Sequence, residues 1–151
     1  MSKLIAEQPF FDGLGPRQVK LLSRFAMEVK FEAGQWIFEK GGPANRFHLI
    51  LQGKAVVESH SPEQGTVPMQ TLGPGDSLGW SWLFPPYQFV FSARALEPTK
   101  TIFFYATWLR QQCAQNRTLG YELTKRIAAV VINNLKAVEQ HIANRSSMRA
   151  R

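Results

Sequence analysis

Between Val29 and Tyr105 the chain consists of short apolar runs that alternate with turn residues. Val29–Phe31, Trp36–Phe38, Phe47–Leu51, Ala55–Glu58, Met69–Leu72, Arg94–Leu96 and Thr101–Tyr105 each have the length or content of a β-strand. Gly34, Gly41-Gly42-Pro43, Gly53, Pro62–Gly65 and Gly73–Gly75 punctuate them. Short strands at such regular spacing predict a sandwich or jelly roll. The flanks differ. Pro16 suits the first turn of a helix, and Val19, Leu21, Leu22 and Phe25 give that helix an apolar face ending near Met27. After Tyr105 the pattern predicts a short helix over Ala106–Gln115 and a long one from Thr118 to about Asn144.

The long helix contains no proline, and Gly120 near its start is its only glycine. At 1.5 Å per residue it spans about 40 Å, more than one small barrel covers. Ala128, Val131, Leu135, Val138 and Ile142 follow alternating spacings of three and four, the pattern of a coiled-coil seam. Two readings stay open: a seam between two copies, or an amphipathic helix lying on its own barrel. Asn133 and Asn134 in mid-helix suit the seam better than a fully buried face. The expected architecture is therefore α+β, mainly β. A helical lead-in (residues 4–27) comes first, then a jelly-roll barrel (28–105), two helices (106–144) and a basic tail (145–151).

Composition narrows the classes without naming a function. A chain of 151 residues suits one domain with a real core. No apolar run reaches the roughly 20 residues that cross a bilayer, and the N-terminus lacks a leader signature. The single cysteine, Cys113, cannot form an internal disulfide. Together these predict a cytoplasmic protein with no membrane partner. The formal charge of +7 permits nucleic-acid contact without requiring it. Arg145, Arg149 and Arg151 gather at the end, either as a frayed basic terminus or as a phosphate-contacting arm.

Four segments in order resemble the cyclic-nucleotide-binding domain, the sensor half of the Crp/Fnr regulators. They are Pro9–Leu14, Phe31–Gly41, Phe47–Ala55 and Leu72–Gly79. The resemblance extends over about residues 4 to 143. It implies a double-stranded β-helix with a ligand cassette after Gly79, and a non-catalytic regulatory or sensor module. In that family a glutamate directly after this glycine accepts from the ribose hydroxyl, and an arginine further along pairs the cyclic phosphate. A buried anion needs such a fixed cation and backbone donors.

Neither charge is present. Trp80 stands at the glutamate position. The arginine position falls on Phe89 or Phe91, according to register, with Gln88 the nearest polar neighbour. Arg94 better matches a second, structural arginine. The cassette is instead rich in aromatic rings, running Trp80-Ser81-Trp82-Leu83-Phe84-Pro85-Pro86-Tyr87-Gln88-Phe89-Val90-Phe91. The candidate ligand residues are Gly79, Trp80, Ser81, Trp82, Leu83, Gln88, Phe89, Val90, Phe91 and Arg94. Three outcomes follow: rings that fill a vacated pocket, a pocket for a small apolar or aromatic ligand, or residual binding of a cyclic nucleotide. Losing a buried charge-assisted pair costs on the order of 2–5 kcal/mol, so tight binding of cyclic AMP is not expected.

Other chemistries lack their signatures. His48, His60 and His141 are not spaced as metal ligands, and no paired-cysteine zinc motif occurs. There is no phosphate loop ending in Lys-Ser/Thr and no nucleophile elbow, so no catalytic residue is expected. His48 and Cys113 are read as core residues. The chain stops at Arg151, where Crp/Fnr proteins continue into a winged helix-turn-helix, so sequence-specific DNA binding is not expected. The alternatives to a sensor are a ligand-free interaction module and a truncated regulator acting through a partner. A homodimer through the long helix is expected for either.

Overall fold

Ala26 marks the point where the helical lead-in gives way to the barrel. Its backbone is extended (φ −72°, ψ 135°), and the next residue, Met27, already pairs with Phe103. The structure, a computed structural model, describes residues 1–149. Helix α1 (Ser2–Glu7), a 3-10 turn (Pro9–Phe11) and α2 (Pro16–Phe25) precede the strands. These are β1 (Met27–Phe31), β2 (Trp36–Phe38), β3 (Arg46–Gln52), β4 (Ala55–Ser61), β5 (Gly65–Leu72), β6 (Ser77–Leu78), β7 (Ser92–Ala95) and β8 (Thr99–Tyr105). Helices α3 (Ala106–Gln115) and α4 (Arg117–Arg149) close the chain.

The strands form two four-stranded antiparallel sheets, β1-β8-β3-β6 and β2-β7-β4-β5. This is the expected jelly roll. Alternation along β3 builds two cores. Phe47 and Leu49 face the helices and join Ile102, Phe104, Leu22, Leu109, Leu119, Leu123 and Ile127. Ile50 faces between the sheets with Val57, Leu78 and Ala93. His48 also lies on that inner face. It is 2% exposed and its Nδ1 is 2.8 Å from the Thr101 hydroxyl. Burial, and then the charge of Arg46, lower its pKa to about 3. Gly53 shows why a turn residue is fixed here: its φ is +97°, and a Cβ would lie 2.5 Å from the Pro98 carbonyl oxygen.

Several boundaries differ from the sequence reading: β4 runs on to Ser61, β5 begins at Gly65 and β8 at Thr99, and three further shifts have a plain cause. The first long helical segment ends at Phe25, because Met27 is taken into the β1–β8 ladder. Strand β7 runs Ser92–Ala95, and Leu96 leaves it to donate its N–H to the Lys54 carbonyl. Helix α4 runs on through Arg145 to Arg149, since nothing after Gly120 breaks it. Arg151 of the expected tail lies outside the described residues. Cys113 is half-buried, and burial pushes its thiol pKa up.

Helix α4 has two parts. Leu119, Leu123 and Ile127 are fully or almost fully buried against the barrel, and Val131 still packs on that cluster. Beyond it no apolar residue of the helix is fully buried among the described side chains. Ile132, Leu135 and Ile142 are 52%, 56% and 59% exposed. Of the predicted seam, Ala128, Leu135 and Ile142 face outward, while Val131 and Val138 are half-buried. The described residues contain no helix long and apolar enough to cross a membrane.

Candidate functional site

The cassette begins at Gly79, which has φ +90° and caps a 3-10 turn over Trp80–Leu83. A left-handed backbone and a crowded Cα both require glycine here. A Cβ would lie 3.1 Å from the Arg46 carbonyl oxygen, 3.2 Å from Phe89 Cε1 and 3.5 Å from Phe38 Cε2. Two rings therefore lie against the face of Gly79. Phe89 and Phe38 stack, with centroids 3.9 Å apart and planes at 9°. Phe89 is held by its backbone as well. Its N–H donates to the Gly42 carbonyl, and its carbonyl accepts from the Gly41 N–H.

What remains open beside this stack is a cavity of about 90 Å³. That is well below the roughly 300 Å³ or more typical of a ligand site. Gly79, Trp80, Ser81, Phe89, Val90 and Phe91 line it, joined by Phe38, Gln70, Ser77 and, from α4, Asn133 and Asn134. Asp76 is the one charged residue among the described residues that line it, and its carboxylate accepts from the Gly73 N–H at 2.9 Å. Ser77 is 8% exposed, and its hydroxyl has no partner among the described residues.

Four candidates lie away from this cavity. Trp82 is fully buried in the helix-side core, where it packs on Phe47. Leu83 packs against the same cluster. Gln88 is exposed and bridges to Pro43. Arg94 is bound to Glu58, with Nη2 2.6 Å and Nε 3.0 Å from one carboxylate oxygen. Glu58 is 2% exposed, so this arginine neutralises a buried acid on the outer face of the sheet.

The sequence reading also missed residues. Phe38 supplies half of the stack, and its signal was its place two residues beyond Trp36 in a short strand. The register shifts between them: Trp36 stays 38% exposed under Arg94, while Phe38 joins the inner cluster. Arg110 pins the outer rim by donating to the Trp82 carbonyl at 2.8 Å and lying 4.2 Å over the Tyr87 ring. Its position on an amphipathic helix gave no such signal.

The family model of the cyclic nucleotide-binding domain matches residues 28–116, more than half of the sequence. The chain belongs to this family. A CRP-like cAMP-activated global transcriptional regulator of Mycobacterium tuberculosis is 22% identical over 144 residues, which are 95% of this chain and 62% of that relative. The chain thus spans less than two thirds of its relative's length. A provisionally assigned cyclic nucleotide-binding protein from Geobacter metallireducens GS-15 superposes with a TM-score of 0.79 at 29% identity, covering 89% of this chain and 97% of that one. The sensor domain of the regulator DNR from Pseudomonas aeruginosa gives 0.71 at 18% identity, over 89% and 91%, and shares the fold.

Proposed function

We propose that this cyclic-nucleotide-binding-family chain is a non-catalytic regulatory module whose cassette does not hold a cyclic phosphate tightly. One observation carries the reading: the stacked Phe89 and Phe38 rings occupy the face of Gly79, and among the described residues no lysine, arginine or histidine lines the cavity. A buried phosphate in that space would lack a counter-charge. Asn133 and Asn134 carry the influence of the cavity into α4, so a change in the cassette has a direct path to the long helix. The outward Ala128, Leu135 and Ile142, together with Ile132, favour pairing of α4 with a second copy. The lone thiol Cys113 suits a reducing compartment, and we place the chain in the cytoplasm.

A second reading rests on Ser77. Its unpartnered hydroxyl beside Gln70, Asn133 and Asn134 suits a small uncharged molecule with a hydrogen-bonding edge. The two readings part on one pair of substitutions. Trp80→Glu with Phe89→Arg restores both family charges. Cyclic AMP affinity in calorimetry should then rise by tenfold or more over the wild type, in line with the roughly 2–5 kcal/mol such a pair carries. No gain would mean that the backbone of the loop is no longer a nucleotide cradle, and that the missing charges are not what sets its ligand.

A further inference from the structure

The cassette is fixed at one end and loose at the other. Trp82 is fully buried in the helix-side core, whereas Phe84, Pro85, Pro86, Tyr87 and Gln88 at the tip are all exposed. Toward the barrel the tip is held by backbone bonds. The Ala44 N–H donates to the Tyr87 carbonyl at 2.8 Å, and Phe89 bonds to Gly41 and Gly42. Tyr87 itself has φ 58°, in the left-handed region that a bulky side chain rarely adopts. Such a conformation persists only where the surrounding contacts fix it.

Arg110 adds the contacts on the other side, from α3. Its Nη1 donates to the Trp82 carbonyl at 2.8 Å, and its guanidinium carbon lies 4.2 Å from the centroid of the Tyr87 ring. Among the described residues this is the one side-chain hydrogen bond that residues 80–91 make. A guanidinium can serve both partners at once, donating in its plane and stacking with its face. One arginine thereby joins the buried end of the cassette to its exposed tip. Helix α3 is a firm mount, because its Ala106 and Leu109 are buried in the helix-side core. It also packs closely on α4: a Cβ on Gly120 would lie 2.8 Å from the Cys113 carbonyl oxygen.

We propose that Arg110 is a latch: it holds the tip of the cassette closed, keeps Phe89 on Phe38, and ties the state of the cassette to the position of α3. This rests on the reading of the cassette as the responsive part of a regulatory module. A cation on an exposed ring is a weak contact, so the latch can release without unfolding the barrel. When the tip lifts, Tyr87 leaves the guanidinium and draws Phe89, two residues on, away from Phe38. The cavity beside Gly79 then widens. The coupling is reciprocal. A ligand that lifts the tip frees α3, and a partner that shifts α3 loosens the tip. This route out of the cassette is separate from the one through Asn133 and Asn134 on α4.

The test is native-state hydrogen exchange of the full chain. No nucleotide is added, so the outcome is independent of whether the cassette holds a cyclic phosphate. The Gly41, Ala44 and Phe89 amides report opening of the tip. The amides of β8, a strand paired on both sides, report global unfolding. In the wild type the tip amides should exchange faster than those of β8. Arg110→Gln should speed the tip amides by about tenfold, the effect of losing a charged donor to a carbonyl. Tyr87→Leu should speed them by about threefold. The double variant should be no faster than Arg110→Gln alone, because the two residues act as one contact. Tip amides that match β8 in the wild type, that keep their wild-type rate in Arg110→Gln, or that respond to the two substitutions multiplicatively would overturn the latch.

Discussion

The cassette and the far half of α4 are both rich in apolar residues, and they dispose of them in opposite ways. In the cassette, Trp82 and Phe89 turn inward and are 0% and 6% exposed. On α4, Leu135 and Ile142 are left more than half exposed. The cassette covers Trp82 and Phe89 within its own barrel, although Phe84 and Tyr87 at its rim stay 42% and 36% exposed. The helix runs past the edge of the barrel and cannot do the same. Apolar content in a sequence therefore states that area must be covered, but not which molecule covers it.

The largest effect that separates the two regions is truncation. Phe89→Ala removes a buried ring from the stack and should cost about 3–5 kcal/mol in chemical denaturation. The rings of the cassette would be idle if the loss were below about 1 kcal/mol. Arg94→Ala should follow at about 2–3 kcal/mol, because it leaves Glu58 buried without its cation, while cyclic-nucleotide binding stays unchanged. A change in ligand response on this substitution would return Arg94 to the site.

The inner face of the barrel also makes stability depend on pH. His48 stays neutral in the fold down to about pH 3, whereas the unfolded chain protonates it near 6.5. Its folded pKa is depressed, so the unfolded state takes the proton first as pH falls. The stability it contributes is complete above about pH 6.5 and declines toward pH 3, by roughly 1.4 kcal/mol per pH unit. Denaturation curves between about pH 6 and about pH 4 should show this slope in the wild type and a shallower one in His48→Gln. Equal slopes would place the titration elsewhere.

The smallest effect on folding is expected on α4. Leu135→Asp with Ile142→Asp should change the chain's own unfolding by about 0.5 kcal/mol or less, as exposed sites do. The same pair should convert a dimer to a monomer in sedimentation. A wild type that sediments as a monomer would leave this face for another partner.

The barrel was legible because seven of its eight strands are long enough to carry a pattern. Strand β6 is two residues long and carries none. The short α1 was missed for the same reason, having only six residues. The family frame was legible from Gly41, Gly53 and Gly79, each with positive φ. The cassette was legible in composition but not in direction. Trp80 and Trp82 look alike in sequence, yet the 3-10 turn sends one to the cavity and the other into the helix-side core. Gln70, Asn133 and Asn134 reach the cavity from β5 and α4, which only the folded topology brings beside Gly79.

The central claim is that paired rings stand where a cyclic phosphate needs a cation. It is tested most directly by calorimetric titration of the wild-type chain with cyclic AMP and then cyclic GMP, up to millimolar ligand. The account predicts no saturable heat with either nucleotide. Saturable binding in the micromolar range would contradict it, because Phe89 would then have to leave Gly79 and another group would have to supply the charge.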